Sequence, residues 1–306
     1  MDALNTPAAP PRVDLHLLRQ QHRRAILILV LCTALWSTAG VATRFMEQTE
    51  GFEIAFWRAL SCMICIAAVL IAQRGRRWLE PVRSAGWAGW ISACMWAVMF
   101  TCFMLALTHT SVANVLVVMA ASPLLAALLG RAVLREHIGL RTWTAIGVAG
   151  IGMVWMTREG LSGDGLLGMA IAAAVPLASA INLVVLKKSG PRMDLGPAVM
   201  MGALICAVVT LPMAWPIGTS AQDLAIIAAL GAFQLALPCL LLVGVAKHLA
   251  PQEIALLCLL EVVLGPLFAW IGVGERPSAS TLQGGALVLG ALAFNAYFST
   301  KARSIT

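Results

Sequence analysis

The chain has 306 residues, 60% of them apolar and only 11% charged, and its mean hydropathy is +0.88. A soluble domain carries roughly a quarter of its residues as charges, so this composition excludes a water-facing surface and places the chain in a bilayer. Its net charge of +7 reads as orientation in the membrane rather than nucleic-acid binding, because the basic residues of membrane proteins gather in the loops on one side.

Residues 1–24 are polar and basic, with Pro10 and Pro11 side by side and no short apolar core before a small-residue cleavage site. They read as a cytoplasmic tail and not as a signal peptide. Beyond them, apolar runs recur that are long enough, at about 1.5 Å per residue, to cross about 30 Å of hydrocarbon.

The first span, 25–45, carries Trp36, Ser37 and Thr38: an indole with an apolar face and a donor, then two hydroxyls. The second, 53–73, holds Arg58 about a turn and a half from its start. A charge in hydrocarbon is costly enough to make an intramembrane ionisable residue a functional candidate. The competing reading is an arginine that snorkels to the interface or ties down an external loop. Cys62 and Cys65 form a CxxC here, but all eight cysteines lie in apolar runs, away from a helix N-terminus or a paired zinc site, and read as small core hydrophobes.

The third span is 87–107. The fourth, 112–134, contributes Asn114, Ser122 and Pro123, and the fifth, 141–157, has Ala145 and Ala149 at four-residue spacing, as expected for close helix packing. The sixth, 165–186, contains Pro176 and Asn182; the seventh, 196–215, contains Pro212; the eighth, 222–246, contains Gln234 and Pro238. The ninth, 251–274, bears Glu261 near its middle and Pro266 further on, and the tenth, 281–299, has Ala286 and Gly290. Each proline removes a backbone hydrogen bond, giving either a hinge or a fixed bend. Residues 300–306 close the chain as a cytoplasmic tail.

With a cytoplasmic N-terminus, every Lys and Arg falls on the inside except Arg44, Arg158 and Arg276 outside and Arg58 within a span. A wrong span count would have swapped sides partway and spoiled this bias. Sliding the sequence by 139 residues lays His109 on His248, Ser122 on Glu261, Glu136 on Glu275 and Thr142 on Thr281. Two five-span units, 25–157 and 165–299, are thereby related, and an odd number of spans inverts the second. The expected fold class is an all-α membrane protein of ten transmembrane helices in two inverted five-helix repeats, with both termini cytoplasmic. Such repeats are the geometric basis of alternating access.

Over residues 25–299 the chain resembles the EamA-type branch of the drug/metabolite transporter superfamily. The likeness rests on LWSTAGVATRF, on FWRAL, and on two matching strings, SPLLAALLGRAVLREHIGLRTWTAIGVAGIG and EVVLGPLFAWIGVGERPSASTLQGGALVLG. In each string an apolar helix ends in an acid, Glu136 or Glu275, followed by a polar loop and a Gly-rich helix. The family often has Glu then Pro in its ninth helix; here Val262 follows Glu261 and the proline comes at Pro266. The resemblance implies a secondary transporter in the inner membrane that exports small metabolites such as amino acids.

From the residues themselves, Glu261 is either a protonatable coupling group, or a ligand for a solute ammonium, or a structural acid, the last conceivably paired with Arg58. Trp36, Ser37, Thr38, Asn114, Ser122, Asn182 and Gln234 are candidates to line a midplane cavity with it, or else interhelical glue. Glu136 and Glu275 read as braces of their loops, and His109 and His248 as capping or interfacial residues. The expected partners are a small-molecule solute and the lipid bilayer, with protons as the candidate coupling ion. There is no HExxH, GxSxG or paired intramembrane aspartate, and no P-loop, which argues against an enzyme, a metal site, a bound cofactor and ATP-driven transport. The rival readings on the same scaffold are a channel and a lipid or drug translocator.

Overall fold

The computed structural model describes residues 15–46, 50–135, 140–156, 163–189, 195–245, 248–249, 254, 257–258 and 260–303. Every regular element among them is helical. In chain order these are α1 (Leu15–Ser37), α2 (Ala39–Arg44), α3 (Gly51–Arg74), α4 (Glu80–Arg83), α5 (Gly86–His109), α6 (Val112–Met119), α7 (Ser122–Leu134) and α8 (Leu140–Met156). They continue with α9 (Gly163–Ser189), α10 (Leu195–Thr210), α11 (Ala221–Ala229), a π-helical stretch (Leu230–Ala236), α12 (Leu237–Val245), α13 (Leu260–Val273) and α14 (Ala279–Arg303).

Among the described residues, six helical runs are long and apolar enough to cross a membrane: Arg19–Arg44, Gly51–Arg77, Gly86–His109, Val112–Leu134, Gly165–Leu186 and Ala221–Val245. Shorter apolar helices lie at Trp143–Gly152, Gly196–Thr210 and Leu260–Val273. Large apolar side chains such as Leu27, Ile151, Val208 and Ile271 point outward, as they do when the surrounding solvent is lipid.

Three of the runs are interrupted, and local chemistry explains each break. Between α1 and α2, the Thr33, Ser37 and Thr38 hydroxyls donate to the carbonyls of Val30, Thr33 and Leu35 at 2.7–2.8 Å. Such back-bonding competes with the ladder and bends a helix; here the Thr38 N–H also reaches only as far as Leu35 O. Between α6 and α7, Pro123 offers no N–H, the Ala121 N–H bonds Val118 O, and Ser122 Oγ donates to Met119 O at 2.7 Å. The eighth predicted span widens into the π-helical stretch just before Pro238, where the proline leaves the ladder one donor short.

Two expectations are corrected. The seventh span was expected to reach 215, but α10 ends at Thr210, so Pro212 lies in the turn beyond it and bends no helix. On the tenth, Ala286 and Gly290 are exposed, whereas Gly284, Val288 and Ala291 face α8. Ala145 and Ala149 of α8 are buried there as expected. The packing face of α14 is therefore rotated from the one read by spacing, and it is fixed by the approach of Gly152 to the Gly284 carbonyl, 2.7 Å from where a Cβ would stand.

Helix α3 lies against α5, α10, α11 and the π-helical stretch, while α9 joins α5 to α6 and α7. At Gly231 the backbones of α3 and the π-helical stretch touch: an added Cβ would stand 2.5 Å from Arg58 O and 2.6 Å from Ser61 Cβ. Gly231→Ala must push the helices apart, at a cost of about 1–3 kcal/mol. A lower Tm in detergent is the expected outcome, and an unchanged Tm would mean that this contact relaxes freely.

Candidate functional site

The candidate site is assembled where two of the helix breaks meet. Arg58 of α3 is buried, with 2% of its surface exposed. It donates from Nε at 3.1 Å and from Nη2 at 2.8 Å to the same oxygen, Oε1 of Gln234 in the π-helical stretch. Gln234 in turn donates from Nε2 at 3.1 Å to the carbonyl of Trp36, beside the break between α1 and α2. The extra residue of the π turn aims Gln234 at this junction. The guanidinium carbon sits over the Phe103 ring, 5.7 Å from its centroid, a cation–π contact strengthened by exclusion of water.

Arg58 does not snorkel: its charge stays among helices, and its Nη1 is buried without a partner. Glu261, in the first turn of α13, interacts with Arg58 electrostatically. Among the described residues, however, no hydrogen bond or ion pair joins the two, so the direct pairing weighed from sequence is absent. Each is thus left without an oppositely charged partner at hydrogen-bonding distance among the described residues. The indole N–H of Trp57, next to Arg58 in the chain, is also buried without a partner.

The remaining candidates fall elsewhere or serve the backbone. The Ser37, Thr38 and Ser122 hydroxyls bond backbone carbonyls three or four residues earlier in the chain. Asn114 receives the Thr281 hydroxyl on Oδ1 at 2.8 Å and donates from Nδ2 to Thr110 Oγ1 at 3.2 Å, which ties α6 to α14. Asn182 is buried on α9, its Oδ1 without a partner. All eight cysteines are free thiols, and among the described residues no group of His, Cys, Asp and Glu could hold a metal ion.

A second polar cluster joins distant segments at one end of the bundle. Arg44, which closes α2, donates from Nε to Glu275 Oε2, from Nη1 to Leu107 O, each at 2.8 Å, and from Nη2 to Thr110 O at 3.0 Å. The other Glu275 oxygen accepts the Val112 N–H at 2.8 Å, satisfying an open donor at the start of α6. Behind this pair the helices close tightly: a Cβ on Gly40 would stand 2.5 Å from Val112 Cγ2, one on Gly272 2.8 Å from Val41 Cγ1, and one on Gly265 would overlap Leu116. Sequence reading treated Arg44 only as an outside charge. Its one signal was position, a basic residue closing a span. Glu136, the matching acid, lies outside the described residues.

Glu53 is a third polar centre that the sequence did not flag. It is buried at the start of α3 and accepts the N–H groups of Gly218 and Thr219 at 2.9 and 2.7 Å, along with the Thr219 hydroxyl. This fixes the loop before α11 and spends one carboxylate oxygen in doing so.

The family model of the EamA-like transporter family matches residues 23–158 and, a second time, residues 166–297. The chain belongs to the EamA-like transporter family. The two matches cover both predicted repeats, so this family member is a multi-pass membrane protein of transporter type whose solute side is a small molecule. None of the curated proteins matches it. A solved structure titled only as a crystal structure of protein is similar in fold, with a TM-score of 0.64 and 18% identity over 92% of this chain and 99% of that one.

Proposed function

We propose that this EamA-family protein is a secondary transporter, not an enzyme, that exports small metabolites such as amino acids across the inner membrane by alternating access. The observation that carries the reading is the buried Arg58, held by Gln234, which itself bonds the Trp36 carbonyl beside a helix break, with its Nη1 left without a partner. Transporters place their solute sites where helices are interrupted near the midplane, and an ionisable group kept unpaired there needs a solute or a proton to complete it.

In this reading the chain crosses ten times as two inverted repeats, 25–157 and 165–299, with both termini in the cytoplasm. The Arg44–Glu275 pair then belongs to the outer face, and the tight meeting of α2, α6 and α13 behind it closes the outward path. Export requires that closure to open. Glu261 is the group that takes up and releases the coupling proton.

Counterflow in proteoliposomes tests the proposal: vesicles holding the full chain are preloaded with pools of unlabelled amino acids or other metabolites, and uptake of labelled solute is followed with no imposed gradient. Accumulation driven by one pool is the expected result. Flux that never saturates would instead support a channel, and exchange of lipid alone a translocator.

A further inference from the structure

Arg58 is unusual in what it lacks. A buried guanidinium is ordinarily matched by a carboxylate, because leaving the charge unpaired costs several kcal/mol. The side chain facing it at hydrogen-bonding distance is instead Gln234, a neutral isostere of glutamate. Glutamate at that position would reach the same Nε and Nη2 protons and neutralise the charge permanently. Glutamine orients the guanidinium and leaves the charge unspent.

The orientation matters as well. Both bonds to Gln234 use the Nε and Nη2 edge, so the Nη1 protons and the second Nη2 proton remain as an end-on fork, and Nη1 has no partner. Such a fork matches the two oxygens of a carboxylate. The Phe103 ring centroid is 5.7 Å from the guanidinium carbon, and the neighbouring Cys62, Cys206 and Cys239 supply no carboxylate. Glu261 interacts with Arg58 electrostatically but makes no hydrogen bond or ion pair with it among the described residues.

We infer that Arg58 binds the carboxylate of a zwitterionic solute through Nη1 and the free Nη2 proton, with the solute ammonium turned toward Glu261. The inference rests on the transporter reading and narrows it: a free carboxylate is required, so amino acids are accepted while their esters and the corresponding decarboxylated amines are rejected. Gln234 is the positioning residue, and its neutrality is the specificity device.

The test uses the full chain in proteoliposomes. Counterflow of labelled neutral amino acids is competed by the unlabelled amino acids, by their methyl esters and by the decarboxylated amines. The acids are expected to compete about 10- to 100-fold better than either analogue, as expected for loss of a charged hydrogen-bonded pair. Arg58→Gln should remove the discrimination together with most uptake. Since that variant could fail to fold, Gln234→Glu is the decisive companion: its carboxylate satisfies Arg58 internally at the cost of the hydrogen bond to the Trp36 carbonyl, and in protein whose Tm shows it folded it is expected to cut amino-acid uptake at least tenfold. Esters or amines competing as well as acids, or a Gln234→Glu protein with normal uptake, overturns the inference and leaves the transporter reading standing. Counterflow of only non-carboxylate solutes does the same, whereas absence of counterflow for every pool overturns both.

Discussion

Glu261→Gln is expected to abolish gradient-driven transport while the protein still folds. The amide keeps the shape of the acid and its capacity to accept a hydrogen bond, but it cannot titrate, so a proton gradient has no group through which to act. Among the described residues Glu261 is spent on no hydrogen bond or ion pair, so the substitution breaks none and its structural cost stays small. Counterflow, which needs binding but no net proton movement, should fall about tenfold as the charged contact to an ammonium becomes a neutral one. Parallel measurement of proton-driven flux and counterflow on the same vesicles separates these roles: normal driven flux in a well-expressed variant removes Glu261 from coupling.

Glu275→Gln and Arg44→Ala are expected to open the end of the bundle that the two residues tie. Arg44 makes three hydrogen bonds to two different segments, and Glu275 joins it to the N-terminus of α6. With side chains 29% and 22% exposed, the pair is only partly shielded from solvent. Its loss is worth about 1–3 kcal/mol, less than for a fully buried pair. Near 1.4 kcal/mol that is a tenfold shift in population. Spin labels at Phe45, beyond α2, and Leu282, on α14, are both at exposed positions on opposite sides of the tie. A longer-distance population that grows in either variant is the expected readout, and an unchanged distribution would make the pair a passive brace.

Much of the fold was legible because a bilayer restricts what a chain can do. Backbone groups in hydrocarbon must be satisfied within a helix, so the apolar runs were expected as helices; among the described residues six helical runs are long and apolar enough to cross, with shorter apolar helices at three more of the expected spans. Break positions were partly legible too: Pro123 and Pro238 mark two of them, whereas the break at Thr38 depends on hydroxyls that return to their own carbonyls. The packing face of α14 was not legible, because in an apolar helix facing lipid on one side and protein on the other, spacing of small residues does not say which side is which.

The candidate site divides in the same way. Sequence by itself determined that Arg58 and Glu261 are costly inside apolar spans and that a duplicated arrangement surrounds them, because the energetic penalty on a charge in hydrocarbon depends on where along a span it falls. Only the tertiary structure decided that Gln234 holds Arg58 and is itself held by the Trp36 carbonyl, that Glu261 makes no ion pair with Arg58 among the described residues, and that Arg44 meets Glu275 across 231 positions of chain. Those outcomes depend on how helices rotate and approach, through backbone contacts at Gly231 and Gly40, and a linear pattern of apolar residues carries no information about rotation.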